Sequence, residues 1–73
     1  MEMTRHNIGR PEFVLDNLDK LPELVKAEGS SARLAKKVGI HPDAFGNYAR
    51  GFSLPSPETY NKLAEFFGWR LWQ

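Results

Sequence analysis

The chain has 73 residues, enough for one small domain, and its ten Lys/Arg and nine Asp/Glu leave a net charge of only +1. It contains no cysteine and only two histidines, His6 and His41, so disulfides are excluded and neither a metal nor another cofactor is expected. No apolar run approaches the roughly 20 residues that span a bilayer, and residues 1–10 carry no apolar signal-peptide core, so we expect a soluble cytoplasmic protein without a membrane partner.

The first part of the chain predicts an irregular arm followed by an amphipathic helical segment. Residues 1–10 form the arm, because Gly9 and Pro11 interrupt any strand there. The helical segment shows one apolar face, formed by Val14, Leu18, Leu21 and Val25. Pro22 interrupts this segment, so either one helix kinks there or Asp19 caps a second helix with Pro22 in its first turn.

Two further helices joined by a tight turn are predicted between Gly29 and Gly51. Gly29 ends the helix before this pair, and Gly51 ends the second helix of the pair. Ser30 or Ser31 caps the first of them, and Gly39 supplies the positive φ that the sharp turn needs. Small and apolar residues follow at helical spacing and form the expected internal face: Leu34, Ala35, Val38, Ile40, Phe45 and Tyr48. A small residue at the crossing and a glycine turn are what a helix-turn-helix requires.

A last helix is predicted after Ser56, which caps it, with Pro57 at its first position and Gly68 as its end. Its apolar stripe consists of Tyr60, Leu63, Ala64 and Phe67. The whole chain therefore predicts an all-α fold of four to five short helices around one core.

Residues 69–73 form an apolar tail that contains both tryptophans. This composition predicts a short strand or an extended arm that docks on the N-terminal segment of the same chain or on a second copy. Trp69, Leu71 and Trp72 are therefore candidate contacts for a dimer or another partner. Two other interpretations are that the tryptophans cover the core of their own chain or stack on nucleic-acid bases.

Positive charge collects in the second part of the chain. Residues 29–73 carry six Lys/Arg and three Asp/Glu, whereas residues 1–28 carry four and six. A helix-turn-helix places its second helix in the major groove of DNA, where the surrounding phosphates attract positive charge. The candidate DNA-binding residues are Ser31, Arg33, Lys36 and Lys37 on the first helix and Pro42, Asp43, Ala44, Gly46, Asn47 and Arg50 on the second.

The candidate residues differ in what they can contact. The amide of Asn47 can bond adenine N6 and N7 together, although a plain surface asparagine is the alternative. Arg50 can contact guanine, but its place near the helix end favours a phosphate. Asp43 either accepts from cytosine N4 or caps the helix start. His41 is interpreted as a residue of the helix start.

Residues 30–68 resemble the Cro/C1-type, lambda-repressor-like helix-turn-helix family. The resemblance is carried, in the family's order, by LAKKVGI (Leu34–Ile40), ARG (Ala49–Gly51) and LPSPETYNKLAEFFG (Leu54–Gly68). It implies a five-helix DNA-binding domain, here residues 11–68, that binds operator DNA as a homodimer in phage or bacterial regulators. The family's usual Ser, Thr or Gln residues are replaced here by Pro42, Asp43 and Gly46, which implies that DNA shape carries more of the specificity. Ala49 replaces the family's usual acidic residue before Arg-Gly, a departure that concerns sequence preference more than fold.

The expected function is sequence-specific binding of double-stranded DNA by a homodimeric, nucleoid-associated transcriptional repressor. The alternative is a protein-interaction or antitoxin-like module of the same fold, whose tryptophans hold another protein. Carboxylates such as Asp16 and Asp19 have no nucleophile, metal motif or glycine-rich phosphate loop near them in sequence, so neither an enzyme nor a small-molecule substrate is expected.

Overall fold

The computed structural model describes residues 10–73, which form five helices and, within that range, no strand. The prediction of an all-α fold is confirmed, whereas residues 1–9 of the predicted N-terminal arm lie outside the described part. The helices are α1 (Glu12–Leu18), α2 (Leu21–Glu28), α3 (Ser31–Val38), α4 (Pro42–Arg50) and α5 (Pro57–Phe67).

The segment around Pro22 forms two separate helices rather than one kinked helix. Asp19 lies at the carboxyl end of α1, where its N–H donates to the carbonyl of Leu15 at 3.0 Å. The cap predicted at Asp19 is therefore wrong, since Lys20 occupies the N-cap of α2 and makes no side-chain capping bond. Pro22 lies in the first turn of α2, where a missing N–H removes no helical hydrogen bond.

The predicted helix ends are set by local hydrogen bonds. Ser30, not Ser31, caps α3, because its Oγ accepts from the Arg33 N–H at 3.2 Å. Gly39 takes a φ of 92° at the end of α3, a conformation that costs a residue with a Cβ more than it costs glycine. The Ile40 N–H then donates to the carbonyl of Ala35 at 3.0 Å, which turns the chain towards α4.

One apolar core joins residues from all the helices. The cluster contains Val14, Leu18, Leu21, Leu34, Ala35, Ile40, Phe45, Tyr60, Leu63 and Ala64. Four predicted members lie only at its edge and are half-buried: Val25, Val38, Tyr48 and Phe67. Leu15 and Asn17 are buried as well, although the sequence pattern assigned neither to the core.

The tail of residues 69–73 is an arm rather than a strand, and it packs on its own chain. The Trp69 ring stacks on Phe67 and Tyr60, at centroid distances of 4.9 Å and 6.2 Å. Trp72 meets the edge of Tyr60 at 6.1 Å, and the guanidinium of Arg70 lies 4.3 Å from the centroid of Phe13 in α1. Both tryptophans are thus half-buried against α5, and Leu71 remains 37% exposed.

Hydrogen bonds hold the backbone of this tail. The Asn61 side chain accepts from the Trp72 N–H at 2.8 Å and donates to the Trp72 carbonyl at 2.9 Å. The buried Tyr60 hydroxyl donates to the Arg70 carbonyl at 2.8 Å and accepts from Asn17 Nδ2 at 2.9 Å. Because these bonds satisfy buried polar groups on α1 and α5, the tail is part of the folded domain.

Candidate nucleic-acid interface

Helices α3 and α4 form the most extensively packed helix pair of the domain. Ala35 on α3 and Phe45 on α4 are both 0% exposed and belong to the same core cluster. The small side chain of Ala35 lets the two helices approach closely, and the Phe45 ring fixes the inner face of α4. The pair is therefore a rigid support for the opposite face of α4.

That opposite face presents a polar stripe along α4. Asp43, Gly46, Asn47 and Arg50 recur at the spacing that places residues on one side of a helix. Asp43 and Arg50 are exposed, whereas Gly46 and Asn47 are half-buried. We call these four residues the α4 stripe; it reaches solvent along nearly the full length of the helix.

The two remaining candidate residues on α4, Pro42 and Ala44, lie apart from this stripe. Pro42 is exposed at the first position of the helix. Ala44 packs against the core beside Tyr48 and Ala49, so it is half-buried on the inner side of α4. The structure therefore groups the polar candidates and separates Ala44 from them.

The start of α4 is capped by the side chain before it. His41 Nδ1 accepts from the Asp43 N–H at 3.1 Å, which confirms the helix-start interpretation of His41. The Asp43 side chain is 94% exposed, with a carboxylate oxygen 4.0 Å from the same imidazole nitrogen. Because His41 performs the capping, the Asp43 carboxylate is directed to solvent and can accept from another molecule.

Arg50 folds back along the stripe instead of extending from the end of α4. Its Nε donates to the carbonyl of Gly46 at 3.3 Å, one turn earlier in the helix. Arg50 Nη2 lies 3.4 Å from where a Cβ at position 46 would stand, so the guanidinium is in contact distance of the Gly46 backbone. The positive charge thus lies beside Gly46, one turn before the end of α4.

The cations of α3 fall into two groups. Arg33 and Lys37 lie 3.9 Å and 3.0 Å from a carboxylate oxygen of Glu28, at the end of α2. Lys36 is exposed and makes no ion pair with any residue of the range 10–73. Glu28, which the sequence pattern did not single out, therefore offsets part of the positive surface. The remaining candidate on α3, Ser31, is the first residue of the helix and is half-buried.

An open groove of about 690 Å³ lies beside the carboxyl end of α4. Leu15, Leu18 and Pro22 line it from the α1–α2 region, and Tyr48 and Leu54 line it from α4 and the following loop. Arg50, the last residue of the α4 stripe, and Phe52 also line this groove, so the groove adjoins the carboxyl end of the stripe. The sequence pattern did not single out Phe52, which follows the glycine that ends α4.

In comparisons with known proteins, the chain matches no family model, no curated protein and no solved structure. The Cro/C1-type resemblance therefore depends on the spaced residues quoted above. Within residues 10–73, no group of His, Asp or Glu side chains could hold a metal ion. No helix in the same range has the length and apolar character needed to cross a membrane.

Proposed function

We propose that the protein binds double-stranded DNA sequence-specifically through α3 and α4 and acts as a Cro/C1-type transcriptional repressor. The observation that carries the proposal is the two-sided character of α4. Phe45 fixes one side in the core, and the stripe of Asp43, Gly46, Asn47 and Arg50 reaches solvent on the other. A helix supported in this way can enter a major groove about 12 Å wide.

Each group of the stripe has a matching contact on DNA. The Asn47 amide can bond adenine N6 and N7, and the exposed Asp43 carboxylate can accept from cytosine N4. Arg50 supplies positive charge beside Gly46, where it can meet guanine or a phosphate. Gly46 offers no side chain to the bases, and the Arg50 guanidinium lies over it instead.

The proposal includes a homodimer, in which two copies place their α4 helices in successive major grooves about 34 Å apart. Of the three residues expected to contact a partner, Trp69 and Trp72 pack on their own chain, and Leu71 is the one that remains exposed. The interaction-module alternative relied on tryptophans available to another protein. Their half-buried packing against Tyr60 gives that alternative no support.

Changing Arg50 to Gln is expected to weaken binding to duplex DNA about tenfold, because a charge-assisted contact is lost. Oligonucleotides selected from a random duplex pool serve as the ligand, and affinity is measured across a salt series. If Arg50 meets a phosphate, the log–log salt slope falls by about one. If it reads a base, discrimination at one position is lost instead.

The control for this experiment is Lys26→Gln, which removes an equal charge from an exposed position on α2. This variant should bind like the unmodified protein at salt concentrations of about 0.1 M and above, where the Debye length is about 10 Å or less and distant charges are screened. Failure of the unmodified chain to bind any duplex at low salt would refute the proposed function.

Changing Glu28 to Gln is expected to strengthen DNA binding several-fold and to steepen its salt dependence, since Arg33 and Lys37 lose the carboxylate that holds them. The folded state should lose less than about 1 kcal/mol, because both cations are more than half exposed. Glu23→Gln, at an exposed position on the same helix, is the matched control. Equal salt slopes for the two variants would show that Arg33 and Lys37 do not meet phosphates.

A further inference from the structure

Phe52 is the most exposed large apolar side chain of the described residues, at 73%. It lies in the loop that follows α4, directly after Gly51, whose φ of 80° reverses the chain there. The Phe52 N–H donates to the carbonyl of Asn47 at 2.9 Å. The backbone of Phe52 is therefore fixed to a residue of the α4 stripe, and the ring does not sit on a loose segment.

The Phe52 ring also contacts the charged end of this stripe. The guanidinium carbon of Arg50 lies 5.3 Å from the ring centroid, within the range of a cation–π contact. Arg50 is held at the same time by its bond to the Gly46 carbonyl. Charge and aromatic surface therefore form one continuous unit at the carboxyl end of α4.

We propose that Phe52 is part of the DNA-binding surface, where its ring packs on a deoxyribose or a thymine methyl group while Arg50 meets the adjacent phosphate. This inference rests on the proposed function and extends its site beyond α4. The alternative occupant is the apolar surface of a partner protein. Such a surface would cover Phe52 and remove water from the neighbouring Arg50 guanidinium without offering it an anion, and this desolvation is costly. DNA offers an apolar sugar or methyl group and an anion side by side.

The test compares Phe52→Ala with Phe66→Ala, which removes another exposed ring, 46% accessible, from α5. The probe is the duplex selected from the random pool, with affinity measured across a salt series and self-association measured by sedimentation. Phe52→Ala is expected to weaken binding about three- to tenfold without a change in salt slope, because an apolar contact releases no counterions. Phe66→Ala should bind like the unmodified protein.

Phe52→Leu is a second variant that keeps an apolar side chain and should retain most of the affinity. Thermal melting of both Phe52 variants should match that of the unmodified chain, since that ring is 73% exposed. Phe66→Ala should melt slightly lower, because it loses the contact of a 46% accessible ring with Phe67. If Phe52→Ala binds DNA with full affinity while Arg50→Gln is weakened, the inference about Phe52 is wrong and the proposed function stands. A loss of self-association confined to Phe52→Ala would assign the ring to a protein contact and also overturn it. No binding by the unmodified chain would remove both proposals.

Discussion

Replacement of Phe45 by alanine is expected to remove a large part of the protein's free energy of unfolding. The ring is 0% exposed, and removing a buried phenylalanine side chain costs about 3–5 kcal/mol in transfer energy and cavity formation. A domain of 73 residues has a total stability of roughly 4–11 kcal/mol at typical values per residue. Urea unfolding followed by circular dichroism measures the change, with a lower midpoint at an unchanged slope as the expected result.

Phe45→Leu is the control, because it retains most of the apolar volume and should cost less than half as much as alanine. DNA binding should fall in proportion to the unfolded fraction, since Phe45 faces away from the α4 stripe. If Phe45→Ala kept a native melting transition, α4 would not be held from its inner face. In that case α4 would not be a supported recognition helix.

Removal of residues 69–73 is expected to lower the free energy of unfolding by about 3 kcal/mol or more. The deletion takes away two hydrogen bonds to Asn61 and leaves the Tyr60 hydroxyl without its acceptor, at about 1 kcal/mol for each bond. It also exposes Tyr60 and Phe67, on which Trp69 stacks. Thermal melting and urea unfolding of the shortened chain measure the loss.

Leu71→Ala is the matched control for the deletion, because Leu71 is the apolar tail residue that the fold leaves exposed. This change should alter stability by less than about 0.5 kcal/mol. Sedimentation then separates the two roles proposed for the tail. A shortened chain that melts like the full one but no longer self-associates would show that residues 69–73 contact a partner rather than their own core.

The stripe on α4 could be located from the sequence because helical periodicity determines which residues share a face. Once Phe45 is placed inside, positions 43, 46, 47 and 50 must lie on the other side. The direction of the Arg50 side chain could not be predicted in this way. Its long side chain can extend or fold back, and the choice depends on the Gly46 carbonyl and the Phe52 ring around it.

The pairing of Glu28 and the docking of the aromatic tail could not be predicted, because both depend on contacts between different elements. Glu28 ends α2 and faces Lys37 on the next helix, so its effect on the positive surface follows from how α2 and α3 pack. The tail was recognisable as apolar, but its site depends on the side chains of Tyr60 and Asn61, which reach it from α5. No spacing rule within a single element contains this information.

The sequence by itself determined where α2, α3, α4 and α5 end and which residues form most of the core. Gly39 and the Ser56-Pro57 pair act through hydrogen bonds and backbone angles within a few residues, so they can be recognised without knowledge of the fold. Only the tertiary structure decided the direction of Arg50, the pairing of Glu28 and the docking of the tail. The physical reason is that long side chains and irregular segments have many local conformations of similar energy, and packing against other elements selects one of them.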